Sequence, residues 1–337
     1  MVLPTTYTSA FALLLLSLLS LTLWPNVYKR AEARWRYELF AFDFALAAFV
    51  FAVLAAYTLG TLGPEMSFTD RILVAGRSAE VWIVGAGMIF ALSNLMLLAT
   101  ISLLGLAAGS LLTFGTALAL LALLHFKSGE HVLFSAGILL LLFCAASAVL
   151  ASKPAGSSGG KPSYRDPRTR CIKGTILAIL SGLTLGAVES VLRLVADPEF
   201  GPGPYAILLM LSIGLLVSTP LFNFFFMHIK ITGDPINFGD YTAGRFQQHL
   251  PGIVSGLLWS ISVLAVLLAL SITTDQAPSS ASILIFPFAS VLICSLLGWF
   301  VWKEYTGKRR TASIWVGVSM VSFAAGLAAF GAGLQLK

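Results

Sequence analysis

Ten apolar runs alternate with short polar segments along this chain. They fall near 7–23, 37–60, 79–99, 102–124, 131–151, 171–190, 204–227, 250–271, 280–301 and 311–333. Each approaches the ~20 residues a helix needs to cross ~30 Å of hydrocarbon. In lipid only helices or closed barrels satisfy every backbone polar group. The pattern therefore predicts an all-α integral membrane protein with ten transmembrane helices. Composition agrees: 58% of residues are hydrophobic and 11% charged, where soluble domains carry about 25% charge.

Charge then orients the runs. Sixteen of the 21 Lys and Arg fall on alternate loops: 29–36, 153–173, 230–245 and 303–310. Arg71, Arg77, Lys127, Arg193 and Lys337 fall on the other side. The positive-inside rule makes the first set cytoplasmic, so both termini are expected to be extracytoplasmic. The expected location is the cytoplasmic (inner) membrane. The net charge of +6 is then topology signal and calls for no nucleic-acid partner. The first run lacks a basic leader and has no small-x-small cleavage site before Trp24-Pro25, so it reads as a retained helix.

One stretch reads as a linker. Residues 152–170, SKPAGSSGGKPSYRDPRTR, are rich in Gly, Ser and Pro and strongly basic. They divide the chain into 1–151 and 171–337, five runs each. Both halves end on an apolar run, a short charged hairpin and a run rich in small residues. An odd number of helices inverts a second copy. The expected architecture is thus two inverted five-helix repeats, with a solute site between them near mid-membrane. Gly105/Gly109, Gly182/Gly186 and Gly252/Gly256 have the GxxxG spacing of close helix contact. Thr219-Pro220 and Phe286-Pro287 interrupt two runs, as a kink or as a broken helix lining a pathway.

Few polar groups lie inside the runs. Asp43 sits about seven residues, or roughly 10 Å, into the second run. An ionised carboxylate there must be paired, hydrated or protonated. It reads either as a proton-coupling group or as an inner-boundary anchor for a loop cation. Asn94 and Asn223 are amides that bind a polar solute or bond helix to helix. Trp259 lies near mid-span rather than in an interfacial belt, with Ser255 and Ser262 on the same helical face. These five residues are the candidate solute-binding set, and Asp43 the coupling candidate. Glu80 and Glu189 sit near the outer side, Glu189 pairing with Arg193. His125, His131, His228 and His249 lie at run ends without metal spacing and read as solvated. Cys144, Cys171 and Cys294 read as packing residues. No cofactor or metal site is expected.

The segments 24–60, WPNVYKRAEARWRYELFAFDFALAAFVFAVLAAYTLG, and 84–105, VGAGMIFALSNLMLLATISLLG, resemble the start and the Gly-rich third helix of ureide permease-like proteins. Those belong to the drug/metabolite transporter superfamily, beside the glucose/ribose and rhamnose porters. Residues 220–259, with His249-Leu250-x-Gly252 and Trp259, resemble the seventh to eighth helices of that family, and WKEYTGKRR (302–310) its Glu-containing hairpin. Three features depart from the pattern. Trp259 is followed by Ser260-Ile261-Ser262, the ninth run reads ILIFPFASVLI in place of the family's Gly/Gln pattern, and Ala155–Lys161 mimics a P-loop but has Pro162 where Ser or Thr would bind magnesium. The resemblance implies a secondary transporter of a small polar solute, sugar- or ureide-like, working by alternating access. Proton coupling is the expected drive, since Asp43 titrates and no ATPase domain is present. The expected partners are solute, protons and the bilayer, with a homodimer left open. A non-transporting sensor or degenerate transporter relative is the alternative. An intramembrane enzyme would need a nucleophile–base pair or carboxylate cluster in the span, and neither stands in the runs, so no enzyme is expected.

Overall fold

The apolar runs become helices, seen in a computed structural model that describes residues 1–125, 132–153, 166–195, 201–272, 280–306 and 310–335. In chain order they are α1 (Tyr7–Ala31), α2 (Tyr37–Tyr57), α3 (Phe68–Leu104), α4 (Leu106–His125), α5 (Val132–Ser152), α6 (Pro167–Val195), α7 (Pro204–His228), α8 (Phe238–Thr242), α9 (Phe246–Leu270), α10 (Ser280–Phe300) and α11 (Arg310–Gln335). Among the described residues, nine helices are long and apolar enough to cross a membrane; α10 adds a shorter apolar stretch, Ile285–Phe300. The chain is a multi-pass all-α membrane protein.

The boundaries differ from the sequence expectation in four places. α3 starts at Phe68, eleven residues before its apolar run, and bends at Gly76, where φ is 76°. The break between the third and fourth runs falls at Gly105, whose φ of 96° favours glycine. Gly105 therefore ends a helix rather than pairing with Gly109 along one. The linker is already helical at Pro167, while 154–165 lie outside the described residues. The 229–245 loop carries a short helix, α8, which periodicity alone did not mark. Pro220 and Pro287 lie inside continuous helices, as do Pro25 and Pro251.

Small residues set the packing, because lipid removes the hydrophobic drive between helices and leaves close contact to hold them. Gly182 and Gly186 of α6 lie against the carbonyls of Thr113 and Ala117 on α4. Gly252 and Gly256 of α9 lie against Phe40, Asp43 and Phe44 of α2. Gly87 of α3 and Gly214 of α7 meet backbone to backbone. α1 packs on α9 and α10, α2 on α7 and α9, α3 on α6 and α7, α4 on α5, α6 and α10, and α11 on α5 and α10.

The two ends of the bundle differ in chemistry. At one end the Met1 ammonium donates to the Glu65 carbonyl (2.8 Å) and Tyr205 Oη to the Val2 carbonyl (2.7 Å). α1, 25 residues long, is about 37 Å from end to end, so its C-terminus marks the opposite end. There Lys29 pairs with Glu32, Arg36 with Glu38, Arg170 donates to the Ser102 carbonyl, and Lys173 to that of Lys230. The basic loops thus gather at one end, called the basic end below.

Candidate functional site

A cavity of about 280 Å³ opens in the middle of the bundle. Six helices line it: α1, α3, α4, α6, α9 and α10. Helical spacing places their contributions. Phe90, Asn94 and Leu97 form one stripe on α3; Ser181, Leu185, Glu189 and Leu192 form another on α6; Trp259, Ser262 and Val266 form a third on α9. The indole of Trp259 stacks on Phe90, with centroids 4.6 Å apart and planes 19° apart.

The wall carries both acceptors and donors: among the donors, Arg193 Nε is buried with no hydrogen-bond partner among the described residues, and the serines act as acceptors. Ser181 donates to the Ser93 carbonyl, Ser290 to that of Pro287, and Ser262 pairs with Ser17. Their hydroxyl hydrogens are engaged within the protein, so the oxygens offer lone pairs to the cavity. Pro25 and Pro287 also line it, and each lacks the N–H that would bond the carbonyl four residues earlier. Those carbonyls belong to Leu21 and Ile283, both lining residues. Asn94 Oδ1 is buried with no hydrogen-bond partner among the described residues. A buried unpaired acceptor costs about 1–3 kcal/mol, so one facing a cavity marks where a donor from a ligand would bind. Glu189 and Arg193, one turn apart and half-buried, stand toward the N-terminal end of the cavity.

The cavity is closed at the basic end. Its lining follows α6 as far as Arg193 and α9 as far as Leu270, both close to the N-terminal end of the bundle. Beneath it, Trp302 Nε1 donates to Asn26 Oδ1 (2.7 Å) and Tyr28 bonds Ser102. Glu304 accepts from the backbone N–H groups of Leu106 and Ala107 (2.6 and 3.0 Å) and pairs with Lys29 at 3.2 Å. Glu304 therefore caps the exposed N-terminus that the Gly105 break creates on α4. α1, the α3–α4 junction and the α10–α11 turn are joined in this floor.

Of the sequence candidates, Asn94, Trp259 and Ser262 come together on the cavity wall. Ser255 does not line it; its hydroxyl donates to the Trp24 carbonyl and ties α9 to α1. Asn223 lies in the α2–α7 seam, its Nδ2 donating to the Glu38 carbonyl at 2.8 Å. Asp43 is also outside this cavity. Its Oδ1 accepts from Tyr241 Oη (2.7 Å) and lies 2.9 Å from His249 Nδ1, and its Oδ2 accepts from Trp35 Nε1 (3.2 Å). No loop Arg or Lys closes on it at ion-pair distance among the described residues. His249, expected to be a solvated boundary residue, is instead packed edge-on against Trp35 and Tyr241. Cys144, Cys171 and Cys294 are buried and free, and Cys294 reaches the cavity. Sequence reasoning missed Phe90 and the wall serines other than Ser262, namely Ser93, Ser110, Ser181 and Ser290. Phe90 lies one turn from Asn94 and was the available signal; isolated serines in apolar runs carried none.

Compared with known proteins, the chain matches no family model and no curated sequence. It is similar in fold to a solved structure described only as a crystal structure of a protein. The TM-score is 0.56 and the identity 15%, over 94% of this chain and 96% of that one. The likeness is one of fold.

Proposed function

We propose that this protein is a secondary transporter of a small polar solute, working by alternating access, as its resemblance to the drug/metabolite transporter superfamily implies. The observation that carries the proposal is the composition of the cavity wall. Three helices of the first half, α1, α3 and α4, face three of the second, α6, α9 and α10. If the halves are inverted repeats, α1 to α5 correspond to α6, α7, α9, α10 and α11. The packing is consistent with that exchange. α1 on α9 is matched by α6 on α3, α2 on α9 by α7 on α3, and α4 on α6 by α10 on α1. α2–α7, α4–α10 and α5–α11 map onto themselves. The six wall helices then form three corresponding pairs around one axis, the arrangement expected of a transporter site.

A wall with an unpartnered acceptor on Asn94 and an unpartnered donor on Arg193 suits a solute that both donates and accepts, such as a sugar or a ureide, with its flat or apolar face toward Trp259 and Phe90. The floor at the basic end, built on Trp302, Asn26, Glu304 and Lys29, suits one of the two states that alternating access needs. Proton coupling through the Asp43 cluster is part of the proposal, as is a cytoplasmic-membrane location with the basic end facing the cytoplasm.

Two measurements test this. Reconstituted in liposomes, the protein is expected to exchange labelled solute from a panel of sugars and ureides down a preset gradient. A stable protein that binds such a solute without moving it would favour the sensor alternative. For orientation, single cysteines at Ser67 and Thr242 are expected to react with an impermeant thiol reagent from opposite faces, Thr242 from the cytoplasmic one. Labelling of both from one face would refute the topology.

A further inference from the structure

Resting on the transporter reading, we infer that the solute is a zwitterion, its cationic group held by Glu189 and its anionic group by Arg193. These are the two charged residues among those lining the cavity. They stand four residues apart on α6 and so share a helical face, with Cβ atoms about 5–6 Å apart. That spacing suits an ion pair, which the sequence predicts. The structure does not make it: the ion pairs of the described residues lie elsewhere. Arg193 Nε is buried without a hydrogen-bond partner. Among the described residues, no hydrogen bond reaches the Glu189 carboxylate, and Arg193 is the one charged group acting on it.

Two open charges on one wall define their complement. A carboxylate only accepts hydrogen bonds and a guanidinium only donates them. A neutral sugar or ureide offers a donor and an acceptor, yet leaves both charges without a bonded counter-charge in a site of low dielectric. A lone cation is attracted by Glu189 and repelled by Arg193, and a lone anion meets the reverse. A zwitterion sets an ammonium against the carboxylate and a carboxylate against the guanidinium together. Each contact is then a charge-assisted hydrogen bond, roughly twice as strong as one between neutral groups. No net charge enters the cavity.

The same wall orients the solute. Arg193 lies one turn, about 5.4 Å, nearer the N-terminal end of the bundle than Glu189, so the carboxylate of the solute points to that end. Around the two charges the lining of α6 and α9 is apolar: Leu185, Leu192, Val266 and Leu267. An apolar branch of the solute is buried against them. Ser181, two turns before Glu189, donates to the carbonyl of Ser93, the neighbour of Asn94. Asn94 therefore lies about 12 Å deeper than Glu189, and its open acceptor meets the far end of the solute rather than its charged head.

Equilibrium binding to the native protein in detergent tests this with four probes of one shape: leucine, leucinamide, isocaproate and isocaproamide. At slightly acid pH the first carries both charges, the second only the cation, the third only the anion and the last neither. Leucine is expected to bind roughly 10- to 150-fold tighter than either single-charge probe, the worth of one hydrogen bond to a charged group. Leucine binding no tighter than isocaproamide, or more weakly than glucose or allantoin, would overturn the assignment without any variant. Glu189→Gln is expected to erase the preference for leucine over isocaproate, and Arg193→Gln that for leucine over leucinamide. A pair that only holds the fold would weaken all four probes alike, and that result also overturns the assignment. Exchange in liposomes separates the two readings. If leucine binds with this ranking but is not exchanged, the transporter reading fails and the zwitterion site stands. If glucose or allantoin is exchanged and leucine is not, the transporter reading stands and the zwitterion site fails.

Discussion

Asn94→Leu is expected to stabilise the protein and to weaken solute binding at the same time. Leucine keeps the branched shape of asparagine, somewhat larger and without polar atoms, and its extra volume can extend into the cavity that Asn94 lines, so it removes a buried acceptor that has no partner. Relieving such an atom is worth about 1–3 kcal/mol, read as a higher melting temperature in detergent. A bound solute loses its acceptor in the same step, leaving its own donor unpaired. A penalty of about 1–3 kcal/mol corresponds to roughly 5- to 150-fold in affinity. Thermal-shift titration with the solute identified by exchange measures both effects on one sample. A destabilised Asn94→Leu protein would mean that Asn94 holds helices together, and unchanged affinity would remove it from the site. Few core substitutions combine a gain in stability with a loss of binding, because most destabilise.

Gly214→Leu is expected to prevent recovery of folded protein. A Cβ at Gly214 would sit 2.1 Å from the Val84 carbonyl oxygen, 2.9 Å from Met88 N and 3.0 Å from Gly87 Cα. All three are backbone atoms, so no side chain can rotate away and α3 and α7 must separate. Overpacking of side chains alone costs about 1–3 kcal/mol, and separating two backbones adds lost contact along the seam. Asn94 and Phe90 lie on the same helix as Gly87, so the cavity wall would shift as well. Gly85→Leu is the control, because a Cβ there meets nothing within 4 Å. Gly85→Leu is expected to melt like the native protein, and Gly214→Leu to elute as aggregate. A well-folded Gly214→Leu protein would show that α3 and α7 do not need this contact.

Part of the site could be read from residue type and position. Asn94, Trp259 and Ser262 stand out as polar or amphipathic groups deep in apolar runs, and all three reach the cavity. Asn223, Ser255 and Asp43 stand out equally, yet each bonds across a helix seam or at the basic end instead. The glycine contacts divide in the same way. Gly182/Gly186 and Gly252/Gly256 are visible because both members lie on one helix. Gly87 and Gly214 are single glycines far apart in sequence, and only the approach of α3 to α7 pairs them. By position alone His249 reads as a solvated boundary residue; the tertiary structure packs it against Asp43 of α2, Trp35 of the α1–α2 turn and Tyr241 of α8.

Length, apolarity and loop charge were sufficient to establish a many-helix membrane protein and its two chemically distinct ends. The reason is that hydrocarbon imposes helix length and backbone satisfaction on every span. Which face of each helix turns inward was left to the tertiary structure. In a soluble protein the apolar stripe marks the core. Here lipid and interior are both apolar, and a helix such as α2 is hydrophobic all round, with Phe44 buried and Leu46 exposed. The cavity wall, the floor beneath it and the Asp43–His249 pair depend on helix rotation and register, which are set by close backbone contact and by hydrogen bonds between residues distant in sequence.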